Sequence, residues 1–321
     1  MGSWLLRILP PLAGLVLLGV LWDRLGGANI LQLLRHAMWG FLGMVLLFTV
    51  QEMFRALGVL RSLPLASRPS FKDMLHIRFV GEGIRAVTLT GPFLAEPARA
   101  WFIRKQGIRA HDAAAATIAD FVVHGLVSAF ATTLAAWYFI ELVGTPGPVR
   151  IASRILLYGS SGYLVLAAFV LYRRIRVIGP GIRLLARLPG LRRALSGSIA
   201  GVYRTEEALH AILLDSPGTL TALVSVQIMS HLLLFLEAYC GILSMGVDIS
   251  ILAASASEVL TKLANISVFG ASEGAYAVVF SAFGLPAAAG FTLSILKRAR
   301  SLAVALAGMG SLAVLSIRQP R

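Results

Sequence analysis

Apolar runs, each near the length that crosses a bilayer, recur along the chain and constrain its fold more than any other feature. A helix needs about 20 apolar residues to span the hydrocarbon core. Runs of that order cover roughly residues 5–22, 37–60, Ala113–Val143, 151–172 and Leu220–Leu243. With 57% hydrophobic and only 14% charged residues over 321 positions, a soluble domain of this size is excluded. Backbone polar groups in lipid must be satisfied within the segment, so the spans are helical. The expected fold class is therefore all-α: a polytopic integral membrane protein with about six to eight membrane helices. The chain reads as a single membrane domain over 1–321, with a basic connection and an amphipathic helix within 173–218.

The first run follows Arg7 and opens on Pro10 and Pro11, with no small-residue cleavage site before Trp22-Asp23-Arg24, so it reads as a retained span. "GGANILQLLRHA" reads as its connection to the second. Net charge is +14, and the excess lies in short connections, which points to topology and anionic head groups rather than nucleic acid. Residues 173–193 hold seven arginines and no acid. By Lys/Arg asymmetry, 61–78, 104–109, 173–193 and the tail with Arg318 and Arg321 are cytoplasmic, while 26–36, 144–150 and 242–250 face outward. With both termini cytoplasmic, this assignment closes only if 77–103 and 248–285 each enter and leave on one side, as re-entrant or broken helical hairpins. The segment 287–317 reads either as one helix or as two parted at "LKRAR".

"GPFLAEPARAWFIRK", residues 91–105, is where charge and helix breaks coincide. Gly91-Pro92 ends one segment, because the residue before proline is pushed out of the α region. Pro97 suits the first turn of the next helix, where its missing N–H costs little. A second broken stretch, "SVFGASEG", carries Gly270 and Gly274. "GEGIRAV" (81–87) and "SEGAYAV" (272–278) share Glu-Gly-x-x-Ala-Val, the kind of paired broken segment found in inverted-repeat transporters.

Ionisable groups in such runs need a partner or a water-filled pocket. Glu52/Arg55, Glu82/Arg85 and Glu96/Arg99 stand at i,i+3 and Glu258/Lys262 at i,i+4, so each pair shares a helical face. Two readings stay open: self-neutralising pairs that permit insertion, or arginines held toward a cavity that receives a phosphate, which the planar guanidinium fork suits. Asp120, Glu141, Glu237, Glu273 and the trio Lys297, Arg298 and Arg300 have no local partner. Glu273 is a candidate partner for Arg298.

Catalytic signals are poor: there is no Gly-rich phosphate loop, the histidines lack ligand spacing, and Cys240 is the one cysteine. No catalytic residue, metal or cofactor is expected, and the chain reads as a non-enzyme.

The two interrupted blocks together resemble the transmembrane, flippase-like region of the lysylphosphatidylglycerol synthase family. The first hallmark is met by Pro92, Glu96, Arg99 and the basic helix end; the second by Glu273, Gly284 and Arg298 in "SVFGASEGAYAVVFSAFGLPAAAGFTLSILKR". Two departures stand out. Ala95 replaces the glycine usual before the first Glu, and Ala119-Asp120 lies where many members carry a Glu-Arg pair. The aminoacyl-transferase domain that gave the family its name has no counterpart in these residues.

The resemblance implies transport of a lipid between leaflets of a bacterial inner membrane. Its head group would carry phosphate and contact Arg85, Arg99 and Arg298, with Glu96 and Glu273 orienting those arginines or exchanging with the phosphate. Gly91, Pro92, Pro97, Gly270 and Gly274 would be the helix breaks. Expected partners are membrane lipids, whether anionic phospholipids or polyprenyl-phosphate and hopanoid-type lipids, and not nucleic acid; self-association or a partner enzyme is open. The alternatives are an accessory subunit of a lipid-modifying system that does not itself transport and, ranked last, a lipid transferase.

Overall fold

Among the described residues the chain is helical, with no strand. The computed structural model describes residues 16, 19–87, 91–143, 148–185, 199–261 and 271–317. Most of the first expected span, Lys262 and Gly270 lie outside them.

In chain order the helices are α1 (Gly27–His36), α2 (Met38–Ser62), α3 (Phe71–Val87), α4 (Gly91–Lys105), α5 (Ala110–Tyr138) and α6 (Pro148–Tyr172). Then come α7 (Ile178–Leu185), α8 (Ile199–His210), α9 (Pro217–Ser244), α10 (Ile251–Leu260), α11 (Ala271–Ala282) and α12 (Ala287–Ile317). A π-helical turn, Phe139–Val143, prolongs α5, and another, Ala211–Asp215, prolongs α8. Among the described residues four helices are long and apolar enough to cross a membrane: Met38–Ser62, Ala110–Glu141, Arg150–Tyr172 and Pro217–Ser244. Several of their Ser and Thr hydroxyls donate to a carbonyl one turn back, as those of Thr49, Ser62, Thr117, Thr132 and Thr221 do, which satisfies them within the helix.

The stretch read as a connection, "GGANILQLLRHA", is instead largely helix α1. Its apolar residues Ile30, Leu33 and Leu34 recur at helical spacing and pack with Ala288 and Phe291 of α12. The segment 287–317 is one continuous helix of 31 residues, about 46 Å long.

Two pairs of short helices sit where the broken segments were expected. α3 and α4, of 17 and 15 residues, rise only about 26 and 23 Å, and they pack against each other. α10 and α11, of 10 and 12 residues, rise about 15 and 18 Å and also touch. Each helix falls short of a hydrocarbon core about 30 Å thick.

The expected breaks need correction. Gly91 and Pro92 open α4 and do not end the segment before it. Pro97 lies inside α4 and does not break it: the one bond it forfeits, to the Phe93 carbonyl, falls near the helix start, where few carbonyls are yet engaged. Gly274 lies within α11 and continues the helix. Among the described residues of the second block, "FGLP" is a helix stop. Gly284 has φ 73°, its N–H donates to the Ser281 carbonyl (3.0 Å), and the Leu285 N–H reaches back to Phe280 (2.9 Å). That is a Schellman stop, which favours glycine at the left-handed position.

The described residues fall into two compact units, each assembled from discontinuous stretches. One is drawn from Met1–Val50, Ser128–Gly162 and His231–Arg300, the other from Gln51–Val127, Tyr163–Ser230 and Ser301–Arg321. In the first, Met44, Ile242, Tyr276, Phe280 and Leu293 form the main core. Phe139 and Phe283 meet edge to face at 5.0 Å in a smaller cluster. In the second, Ala56, Val59, Met74, Ile77, Val80, Phe102 and Ile103 bring α2, α3 and α4 together. A neighbouring cluster joins Ala119 and Val123 of α5 to Leu209 and Leu223.

Candidate functional site: two buried ion clusters

In the unit that begins at Gln51, every intramembrane charge named in the sequence has a partner, and most partners come from another helix. Four side chains form an inner quartet. Arg55 of α2 donates to Asp120 Oδ2 of α5 at 2.8 Å. Arg78 of α3 reaches Glu52 Oε2 at 2.9 Å and Asp120 Oδ2 at 3.1 Å. The i,i+3 contact between Arg55 and Glu52 is the longest of the set, at 3.7 Å. Gln227 of α9 adds an N–H to Asp120 Oδ1 at 2.5 Å. Its amide oxygen therefore faces His124 Nδ1, 3.0 Å away, which makes that nitrogen the donor. All four charged members of the quartet are buried. Arg78, read from sequence as part of a basic cytoplasmic segment, is 1% exposed and so belongs to this buried set.

An outer quartet follows along α3 and α4. Arg99 is buried between Glu82, at 2.6 Å from its Nη2, and Glu96, which meets its Nη1. Glu82 also holds Arg85 at 2.6 Å. The motif "GEG" acquires a steric meaning here. A Cβ at Gly81 would collide with the Arg99 side chain, which lies across α3 at that point. Gly83 meets Gly308 of α12 backbone to backbone; a Cβ on Gly308 would stand 2.5 Å from the Phe79 carbonyl oxygen. One glycine seats the guanidinium and the next seats a helix. Both pairs expected from i,i+3 spacing, Glu82/Arg85 and Glu96/Arg99, do form, but Arg99 bridges them.

The unit that contains α10 and α11 has its own set. Glu258 Oε2 accepts from Lys297 Nζ at 2.5 Å and from Tyr276 O–H at 3.0 Å. Arg300 is paired with Glu237 of α9 and lies over the Phe48 ring, 4.2 Å from its centroid. Arg298 meets Glu273 through Nε, and its Nη2 donates to Ser272 Oγ (2.9 Å) and Glu273 Oε2 (3.0 Å). The trio on α12 is thus divided among three carboxylates. Gly290 allows this helix to close on α11, since a Cβ there would lie 2.5 Å from the Tyr276 carbonyl oxygen.

Each set balances. The inner quartet holds two arginines and two acids, the outer quartet likewise, and α12 presents three cations to three glutamates. In each unit one arginine of the set is open: the Arg85 side chain is 43% exposed and that of Arg298 is 32%. Among the described residues no group of three or more His, Cys, Asp or Glu side chains is arranged to hold a metal ion.

The family model for the lysylphosphatidylglycerol synthase TM region matches residues 7–308. The chain belongs to this family. As a member of the lysylphosphatidylglycerol synthase TM family, with four helices fit to cross a bilayer, it is a multi-pass membrane protein of lipid metabolism. No match is found among curated proteins or among solved structures.

Sequence reasoning did not place Arg78, Gln227, Tyr276 and Glu258 with their present partners. The available signal was Asp120 and Glu237, lone acids in apolar runs whose burial demanded a cation from elsewhere in the chain.

Proposed function

We propose that this protein moves a phosphate-bearing lipid between the leaflets of a bacterial cytoplasmic membrane and leaves the lipid chemically unchanged. One observation carries the reading: each unit encloses an electroneutral ion cluster from which a single arginine remains accessible, Arg85 in one and Arg298 in the other. A purely structural cluster has no need to leave its guanidinium open. An accessible guanidinium backed by a buried carboxylate is oriented in advance for two-point contact with phosphate oxygens. Glu82 orients Arg85 and Glu273 orients Arg298. Glu96 covers Arg99, which becomes available when that carboxylate gives way. The excess of arginine in the 173–193 connection supports cytoplasmic placement of that side, and both termini with it.

The test is reconstitution in liposomes with a fluorescent phosphatidylglycerol. Protein-dependent movement between leaflets is expected, with Arg85→Ala and Arg298→Ala each lowering the rate at least about tenfold, the loss of one charge-assisted contact of roughly 1.5–3 kcal/mol. Mass spectrometry of the recovered lipid should find it unaltered. Rates equal to empty liposomes would overturn transport, and an altered lipid would turn the reading to a transferase.

A further inference from the structure

We infer that capture of an anionic phosphodiester at the outer quartet takes up a proton, and that Glu96 receives it. The inference rests on the head-group reading above and adds the coupling ion. Charge balance carries the argument. Glu82 and Glu96 already offset Arg85 and Arg99, and the inner quartet is equally neutral, so neither has a cation to spare. A phosphodiester entering this low-dielectric setting would leave one uncompensated negative charge, which such surroundings strongly disfavour. Protonating one carboxylate restores neutrality.

The structure singles out which one. Glu52 and Asp120 each face both Arg55 and Arg78, and Glu82 faces both Arg85 and Arg99. Glu96 engages Arg99 through Oε1, while its buried Oε2 has no hydrogen-bond partner; the other such oxygen of the two quartets, Glu52 Oε1, still lies 3.7 Å from Arg55 Nη1. The Glu96 side chain is 20% exposed, against 3% for Glu82. The cations that interact with Glu96 are Arg99 on its own helix and Arg78 on α3; these two also serve Glu82 on α3, Glu52 on α2 and Asp120 on α5, with Arg85 held by Glu82 and Arg55 by Asp120. Arg99 also keeps a buried Nε with no hydrogen-bond partner. In the exchange, solvent supplies H⁺ to the Glu96 carboxylate, the neutral acid leaves Arg99, and the phosphodiester oxygen takes its place. Net charge at the quartet is the same before and after.

Calorimetry on the full-length protein in detergent tests this, with dihexanoyl-phosphatidylglycerol as the probe in two buffers of different ionisation enthalpy. One proton should be taken up per lipid bound, and affinity should rise about tenfold per unit as pH falls from about 8 to about 6. Glu96→Gln, neutral and of the same shape, should bind at least as tightly as wild type at the upper end of that range, with no proton uptake and a flat pH profile. Uptake that persists in Glu96→Gln would overturn the assignment. Binding by wild type with no uptake would overturn the coupling and leave the head-group reading standing. Absence of binding would overturn both. Because the proton count is read on wild type, the coupling stays testable if the variant misfolds. Glycerophosphoglycerol, the same head group without chains, tells the two sources of the anion apart: uptake with the lipid alone assigns the site to lipid, and uptake with both assigns it to the phosphodiester itself.

Discussion

Asp120 shows how much one side chain can depend on the fold around it. Along the chain it is a lone acid in an alanine-rich run; in space it receives Arg55, Arg78 and Gln227 from three other helices. Removing one partner of a buried ion pair leaves the other charge desolvated and uncompensated, at a cost of about 3–5 kcal/mol. Asp120→Ala leaves two buried arginines to share Glu52 alone, so thermal denaturation in detergent should show a loss of about that size. Arg109→Ala is the control. Arg109 pairs with Asp112 at 2.7 Å, but on the surface, where such a pair contributes at most about 1 kcal/mol. A similar melting loss for both variants would mean that the inner quartet contributes no more than a surface contact. The two pairs of the outer quartet, by contrast, are legible from spacing, because Glu82/Arg85 and Glu96/Arg99 are one helical turn apart, while the Arg99–Glu82 bridge that joins them is not.

At the scale of elements, the features that read as breaks in the sequence divide into stops and seats. Gly284 is a stop, closing α11 in a Schellman turn before Pro286 and α12. Gly81, Gly83, Gly290 and Gly308 are seats that let a guanidinium or a neighbouring helix approach a bare backbone. Composition cannot distinguish the two uses, since both place glycine in an apolar run. Gly308→Leu should force α12 away from α3, since the nearest obstacles are the Phe79 carbonyl and the Gly83 backbone, which have no rotamer with which to yield. A destabilisation of about 1–3 kcal/mol is expected by denaturant titration. Faster hydrogen exchange in 71–87 should accompany it. Gly310 on the same helix has open space at its Cβ, and Gly310→Ala should cost no stability and leave exchange in 71–87 no faster.

Over the whole molecule the charges separate into two populations. The buried clusters sum to zero, so the net +14 resides outside them. Neutral clusters lower the cost of placing so many ionised groups among apolar helices, while the surplus arginines are left to set orientation. With Cys240 replaced by serine, Arg104→Cys should react with a membrane-impermeant thiol reagent from the cytoplasmic side alone and Asp248→Cys from the opposite side. Reaction of both from one side would overturn the orientation. α6 fits the same picture: its most apolar stretch buries none of its residues, and Ile151, Ile155, Val165, Leu166 and Phe169 stand exposed, as a face turned to lipid would.

By itself the sequence determined that the chain is a helical membrane protein, where most of its long helices run, that two regions are built from short helices, and that ionised groups sit where lipid would otherwise be. All of this follows from local quantities: run length, helical spacing and the cost of charge in hydrocarbon. Only the tertiary structure decided which carboxylate serves which cation, that 287–317 is a single helix, that Pro97 and Gly274 lie within helices, and that Arg78 belongs to a buried centre and not to a basic loop. The reason is that a Coulombic partner is chosen by distance through space. Asp120 and Arg55 are 65 residues apart in sequence and 2.8 Å apart in the fold.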